Sequence, residues 1–349
     1  MRIAVQNPYF LLENQEKNFN GYNFVFLKEY ADAVYLTGIR GAFKILRAMV
    51  KYGISKKIYF TIDSLNKSAD VVVSFNGRPD IPANCPPREF HGMKICHLMD
   101  FVFFPRQAEE ALEKANVDYV LAYSNHGEQS AFFRQYYTKY EDSIINVPFG
   151  YGDRFVNSIP FDERLNKCIA LGSVNPVNDP MCPAGMLDDY KEYFKDTFFT
   201  HYLRREVVEH RDEWQSEFSD LLPTWPETKN PHYDPVFELN KYTMFLNDAG
   251  LMQFPPARTY EGIACGAVMV AEDLPCFREL GFVEGKNCIL FTPGNFAEMV
   301  KKIRYYQKNN TRLVYIQNES LKLAKKYTHK AVAAQLYRRI LNCYENWTR

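Results

Sequence analysis

The chain carries no excess of either charge: lysine and arginine together number 42, and so do aspartate and glutamate. A protein without a basic surplus is not drawn as a whole toward nucleic acid, so any anion it binds is recognised locally. No CxxC pair occurs among the eight cysteines (Cys85, Cys96, Cys168, Cys182, Cys265, Cys276, Cys288, Cys343). Zinc-site spacing is therefore missing, a disulfide framework is not expected at this length, and we read all eight as reduced thiols with no metal. No apolar run approaches the ~18 residues that a membrane span needs. Met1 leads straight into the strand-like Arg2–Val5 without a charged region, an apolar region and a cleavage site, so the cytoplasm is the expected location. In that setting the sequons at Asn66 and Asn318 read as chance matches. Glycine (17) and proline (19) are too sparse for a fibrous or disordered chain, and 46% hydrophobic residues suffice for a sizeable core.

What is present is an α/β rhythm. Arg2–Val5, Lys57–Ile62, Asp70–Phe75, Met93–Met99, Asp118–Tyr123 and Ser143–Pro148 read as strands. Their near-continuous apolar character suits a parallel sheet covered on both faces, with Arg40–Tyr52 and Pro105–Ala115 as crossover helices. The pattern breaks at Pro148-Phe-Gly-Tyr-Gly-Asp153 and restarts with the buried-strand signature Lys167–Ser173. Residues 1–155 are thus expected to form an open, doubly wound first domain, and residues 156–327 a second. Within the second, residues 175–240 offer no confident strand, with helical periodicity around Met186–Phe194 and Tyr202–Phe218. The rhythm resumes with strands at Tyr242–Leu246, Ala267–Ala271 and Asn287–Phe291, and helices at Thr259–Cys265 and Phe296–Gln307. Val314–Tyr327 and Lys330–Tyr344 have apolar positions at helical spacing, so residues 328–349 form a terminal helix.

One segment carries chemistry. In Pro256-Ala-Arg-Thr-Tyr-Glu-Gly-Ile-Ala-Cys-Gly266 a loop leads into a short helix, a glycine turn and a buried strand. Thr259 is placed to cap the helix start, the first-turn amides to receive a diphosphate, and Arg258 to add a charge-assisted contact. Glu261, expected in the first turn, can accept hydrogen bonds from the two hydroxyls of a ribose. Ala264, Cys265 and Gly266 keep the helix slim and end it sharply.

Together with Glu272-Asp273, the Glu284-Gly-Lys-Asn287 turn and the helical tail, this block resembles the C-terminal module of the group 1 glycosyltransferases, in the branch shared with spore-maturation CgeB-like proteins. The resemblance covers about a quarter of the chain. It implies a GT-B fold: two Rossmann-like domains facing a cleft, the donor nucleotide on the C-terminal one, and a C-terminal helix crossing back to brace the N-terminal one. It also implies metal-independent, retaining transfer from a nucleotide-sugar donor without a cofactor, and it makes Glu261 the ribose-binding second acid of the family's paired-glutamate motif. The first acid would fall eight residues earlier, where this chain has Gln253, an uncharged group. Asp248 and Tyr260 join the expected donor contacts. Gly172 and Ser173 follow the first strand of the second domain without a basic residue, which leaves backbone amides, assisted by Arg204 or Arg205, to hold phosphate.

Acid–base candidates are sought after the strands of the first domain, where site residues concentrate. They are His97 and Asp100 in Cys96-His-Leu-Met-Asp100, and His126 in Ser124-Asn-His126, with Asp100 the better base by chemistry. Arg78 sits in another post-strand turn, and the aromatic stretch Trp214–Tyr233 offers stacking surfaces. The leading reading is a cytoplasmic transferase acting on a glycan or lipid-linked acceptor in surface polysaccharide assembly, with peripheral attachment to the inner face of the membrane as an option. A nucleotide-sugar epimerase of the same fold and a two-lobed binding protein are the alternatives.

Overall fold

The computed structural model describes residues 1–15, 18–171, 188–194, 203, 210, 212, 233–249 and 253–347. The chain forms two compact units, the first of Met1–Phe149, Leu187–Tyr193 and His329–Arg349, the second of Gly150–Met186 and Phe194–Thr328.

The first unit is built on seven parallel strands: β1 (Ile3–Gln6), β2 (Ala33–Tyr35), β3 (Lys57–Tyr59), β4 (Val71–Ser74), β5 (Met93–His97), β6 (Tyr119–Ala122) and β7 (Ile144–Asn146). Their order is β3-β2-β1-β4-β5-β6-β7, so the winding direction reverses between β1 and β4. Every residue of β1, β4 and β5 is buried, as the apolar run Val71-Val-Val73 requires of a strand covered on both faces. The connecting helices are α1 (Gly21–Glu29), α2 (Ile39–Lys51), α3 (Ile62–Ser68), α4 (Pro105–Lys114), α5 (His126–Gln129) and α6 (Ala131–Tyr136), joined by α7 (Asp188–Phe194).

The structure departs from the sequence pattern at two places in this unit. The strand expected over Lys57–Ile62 stops at Tyr59, because the Thr61 hydroxyl accepts from the Ser64 amide at 3.3 Å and starts α3 at Ile62. Strand β2 and helix α1 have no counterpart among the expected elements; β2 has three residues, too few for a periodicity to register.

The chain leaves the second unit at Thr328 and returns to the first as α13 (His329–Asn346). Here it packs on α1, where Tyr30 and Tyr337 stack at 5.0 Å. A Cβ at Gly21 would lie 2.3 Å from Nδ1 of His329, so the close approach of the two helices demands glycine there. Beyond the helix, Trp347 Nε1 donates to Asp118 Oδ1 at 3.1 Å.

The second unit contains the parallel strands β8 (Leu165–Ala170), β9 (Tyr242–Asn247), β10 (Val268–Glu272) and β11 (Ile289–Phe291), ordered β11-β10-β9-β8. Its helices include α8 (Pro235–Lys241), α9 (Ala257–Ala264), α10 (Pro275–Glu279), α11 (Phe296–Gln307) and α12 (Asn310–Ala324). Val268, Val270 and Ile289 pack with Ile303, Leu313 and Ile316 into one core. Residues 150–155 belong to this unit, since the Tyr151 amide donates to the Tyr327 carbonyl at 2.9 Å. The unit therefore begins several residues before the expected boundary at 155. Arg164 clamps its first loop: the buried guanidinium donates to the carbonyls of Ile159, Leu239, Tyr242 and Cys265 and to Oδ1 of Asn157 and Asn240. Burial pushes this group down to about 10.

Candidate functional site

A cluster of charged side chains lies at the carboxyl edge of the second sheet, around α9. The run Phe254-Pro-Pro256 cannot be helical, because each proline holds its predecessor extended and lacks an amide hydrogen. The helix therefore opens at Ala257 with Pro256 in the cap position and no side-chain cap. This corrects the expectation for Thr259. Its hydroxyl is fully buried and accepts from Asn247 Nδ2 at 2.8 Å, so it ties α9 to the end of β9 instead of capping the helix. Glu261 likewise falls in the second turn rather than the first.

Arg258 and Glu261 are three residues apart and so share a helix face. The Arg258 guanidinium donates to the carbonyl of Leu171, the residue after β8, which anchors it at the sheet edge. Glu261 is half-buried, and its carboxylate accepts no hydrogen bond among the described residues. Burial raises its carboxyl to about 7, although Arg258 and Arg154 both favour the charged form. Arg154 was not among the expected site residues. Its guanidinium lies 4.7 Å from the ring centre of Phe155 and only 3.7 Å from the exposed Asp234, while its Nε is buried without a partner among the described residues. Two guanidiniums and one carboxyl close to neutrality thus share one electrostatic neighbourhood.

Other positions of α9 pack against the rest of the unit. Tyr260, expected near the donor, is buried with its ring centre 5.1 Å from that of Tyr327, and burial holds its phenol well above the usual range. At Gly262 a Cβ would stand 2.4 Å from the Phe245 ring, so this is the glycine that lets the helix lie against β9. Gly266, at φ 80°, ends the turn in the left-handed conformation.

The remaining donor-side expectations divide. Asp248 is buried immediately after β9, and its charge adds to the burial that raises the Glu272 carboxyl at the end of β10, while the hydrogen bond from the Gly294 amide opposes that rise. Gln253 is exposed at φ 50°. Gly172, Ser173, Arg204 and Arg205 lie outside the described residues, as do the aromatic residues from Trp214 to Trp225. The Glu284-Gly-Lys-Asn287 turn is held by its own bonds: Asn287 Oδ1 accepts from Val283 and Nδ2 donates to Gly281, at 2.8 and 2.9 Å.

In the first unit the acid–base candidates separate. His97 closes β5 and is fully buried, edge-on to Tyr123 at 5.1 Å, and burial lowers it to about 4 despite its contact with the Phe75 carbonyl at 3.4 Å. His126 is also fully buried, 4.4 Å from the Phe101 ring, and burial lowers it to about 3. Both rings thus lie among aromatic side chains of the first unit, and burial favours their neutral form. Asp100 is half-buried. Burial pushes it up to about 6, with Arg78 opposing and Asp80 adding to the rise. Arg78 is itself held by Asp80 in a bidentate pair at 2.7 Å. Among the described residues no group of three His, Cys, Asp or Glu could hold a metal ion.

Residues 204–338 match a family model described as glycosyl transferase-like. No curated protein matches the chain. Solved structures resemble it over nearly its whole length. HepE from Anabaena in complex with UDP is 15% identical with a TM-score of 0.57, covering 99% of this chain and 100% of that one. A glycosyltransferase from Rickettsia africae is 13% identical with a TM-score of 0.54, covering 99% and 98%. The lipopolysaccharide outer core galactosyltransferase WaaB is 13% identical with a TM-score of 0.51, covering 98% and 99%. At such identities the likeness establishes architecture, and with the two parallel sheets it assigns this chain the GT-B fold, two Rossmann-like domains in one polypeptide.

Proposed function

We propose that this protein is a glycosyltransferase that takes its donor as a nucleotide sugar and transfers the sugar to a glycan or lipid-linked acceptor in surface polysaccharide synthesis. The observation that carries this reading is the grouping of Arg258, Arg154 and Glu261 at the carboxyl edge of the second sheet, where open α/β sheets bind ligands. The two guanidiniums supply positive charge for a diphosphate, and the Glu261 carboxyl accepts from ribose hydroxyls. Support comes from the family-model match over residues 204–338 and from the UDP and UDP-glucose complexes of HepE.

The finer reading places the chain in the CgeB-like branch with a retaining outcome. Gln253 in place of the first acid supports the branch, and the full burial of His97 and His126 fits transfer that needs no protein base. Arginine charge, rather than a metal, neutralises the leaving diphosphate in this reading, and activity that survives EDTA is expected. A thermal-shift screen across nucleoside diphosphates, nucleotide sugars and free sugars tests the whole. Stabilisation by a nucleoside diphosphate and its sugar conjugate, but not by free sugar, is expected; stabilisation by free sugar alone would point to a binding protein instead.

A further inference from the structure

Helix α2 (Ile39–Lys51) differs from the other surface helices. Its buried face, with Ala42, Ile45 and Met49, packs on the first unit in the ordinary way. Its outward face does not finish in polar groups alone. Phe43 is 75% exposed and Val50 is 82% exposed, the two highest values among the exposed large hydrophobics. They stand seven residues apart, about two helical turns, and so project side by side. Scattered single apolar residues are normal on a surface, and here two of the most exposed share one helix face.

Beside this ridge runs a row of cations. The helix sequence contains four basic residues and no acidic one, in a chain whose net charge is zero. Lys44, Arg47 and Lys51 are described, and none has an ion-pair partner among the described residues. Lys51 rests over the Tyr52 ring at 5.0 Å. The three line a groove of about 950 Å³ together with Leu11, Leu12 and Ala48; Glu13 is its one acid. An apolar ridge bordered by a row of cations that themselves line a partly aliphatic groove is complementary to a surface whose interior is apolar and whose boundary is anionic.

We propose that α2 docks this protein on a bilayer rich in anionic phospholipid, with Phe43 and Val50 entering the acyl boundary and Lys44, Arg47 and Lys51 meeting the lipid phosphates. This deepens the lipid-linked acceptor of the proposed function, yet donor binding through Arg258 and Glu261 is a separate readout, so either half can fail alone.

The test is sedimentation of the full chain with vesicles of phosphatidylcholine alone or of phosphatidylcholine with phosphatidylglycerol, with circular dichroism and nucleotide binding as controls for folding. Binding to the anionic vesicles that weakens with salt is expected. Each neutralised cation should weaken it about fivefold, so Lys44→Gln with Arg47→Gln should lose about thirtyfold. Phe43→Ser with Val50→Ser should lower binding to the same vesicles while leaving nucleotide affinity unchanged. Equal binding by wild type and both variants, or no binding to anionic vesicles, overturns the proposal. So does a concentration-dependent dimer that the variants abolish, because a second copy of the chain would then be the occupant.

Discussion

Glu261→Gln should make the unliganded protein more stable at alkaline pH. Burial raises the Glu261 carboxyl from 4.5 to about 7 against the pull of two arginines. A carboxyl that holds its proton more tightly when folded leaves stability untouched below pH 4.5, where both states are protonated. As pH rises from 4.5 to 7 the unfolded chain ionises first, and the folded state loses ground by up to about 3 kcal/mol at 1.36 kcal/mol per unit. Water reaches part of this half-buried group, so about 1 to 3 kcal/mol is expected. The glutamine amide is never charged and avoids the penalty. For a unit of this size the gain corresponds to roughly 3 to 10 °C in Tm. Thermal denaturation of both proteins at pH 4.5 and pH 8 reads it directly: the melting difference should be near zero at the lower pH and open at the higher. A Glu261→Gln protein that melts below wild type at pH 8 would refute the reasoning, since Glu261 would then be a stabilising partner rather than a group held at cost for a ligand.

Other outcomes follow from the same geometry. Arg154→Ala should weaken binding of a nucleoside diphosphate by about tenfold to a hundredfold, the worth of one charge-assisted contact, and calorimetry would show it. If Asp100 exchanges a proton during turnover, kcat/KM rises through about pH 6 and Asp100→Asn removes that limb; a profile identical in the variant assigns the ionisation elsewhere. Arg164→Ala strips donors from six oxygens and should cost about 3 kcal/mol or more in urea unfolding, with no change in nucleotide affinity at temperatures where the protein stays folded.

The architecture was legible in the sequence because strands covered on both faces, such as Val71–Ser74 and Val268–Glu272, must be apolar at nearly every position, and short runs of that kind between turn residues stand out. Three-residue strands carry no such signal, and β2 escaped for that reason. At the site, the stretch from Arg258 to Gly266 was found by residue type, but the register of its helix was not. Two prolines, not Thr259, fix where α9 begins, and this shifts Glu261 by a turn and buries Thr259. Gly262 could not be singled out without knowing that Phe245 lies beneath it. Arg154 was visible as the cation after the Pro148–Gly152 hinge, yet its place beside Glu261 depends on a fold-back of over a hundred residues that spacing does not encode. His97 and His126 show the converse: their post-strand position was legible, but their full burial among aromatic rings depends on contacts that spacing does not encode.

Whether Glu261 holds a donor nucleotide at the edge of the second sheet is read by titrating nucleoside diphosphates into wild type and Glu261→Ala in a calorimeter. One nucleoside diphosphate should bind wild type with a stoichiometry of one, and the variant, folded by circular dichroism, should lose at least tenfold in affinity. Equal affinity in the two proteins, or no nucleotide bound by wild type, would contradict it.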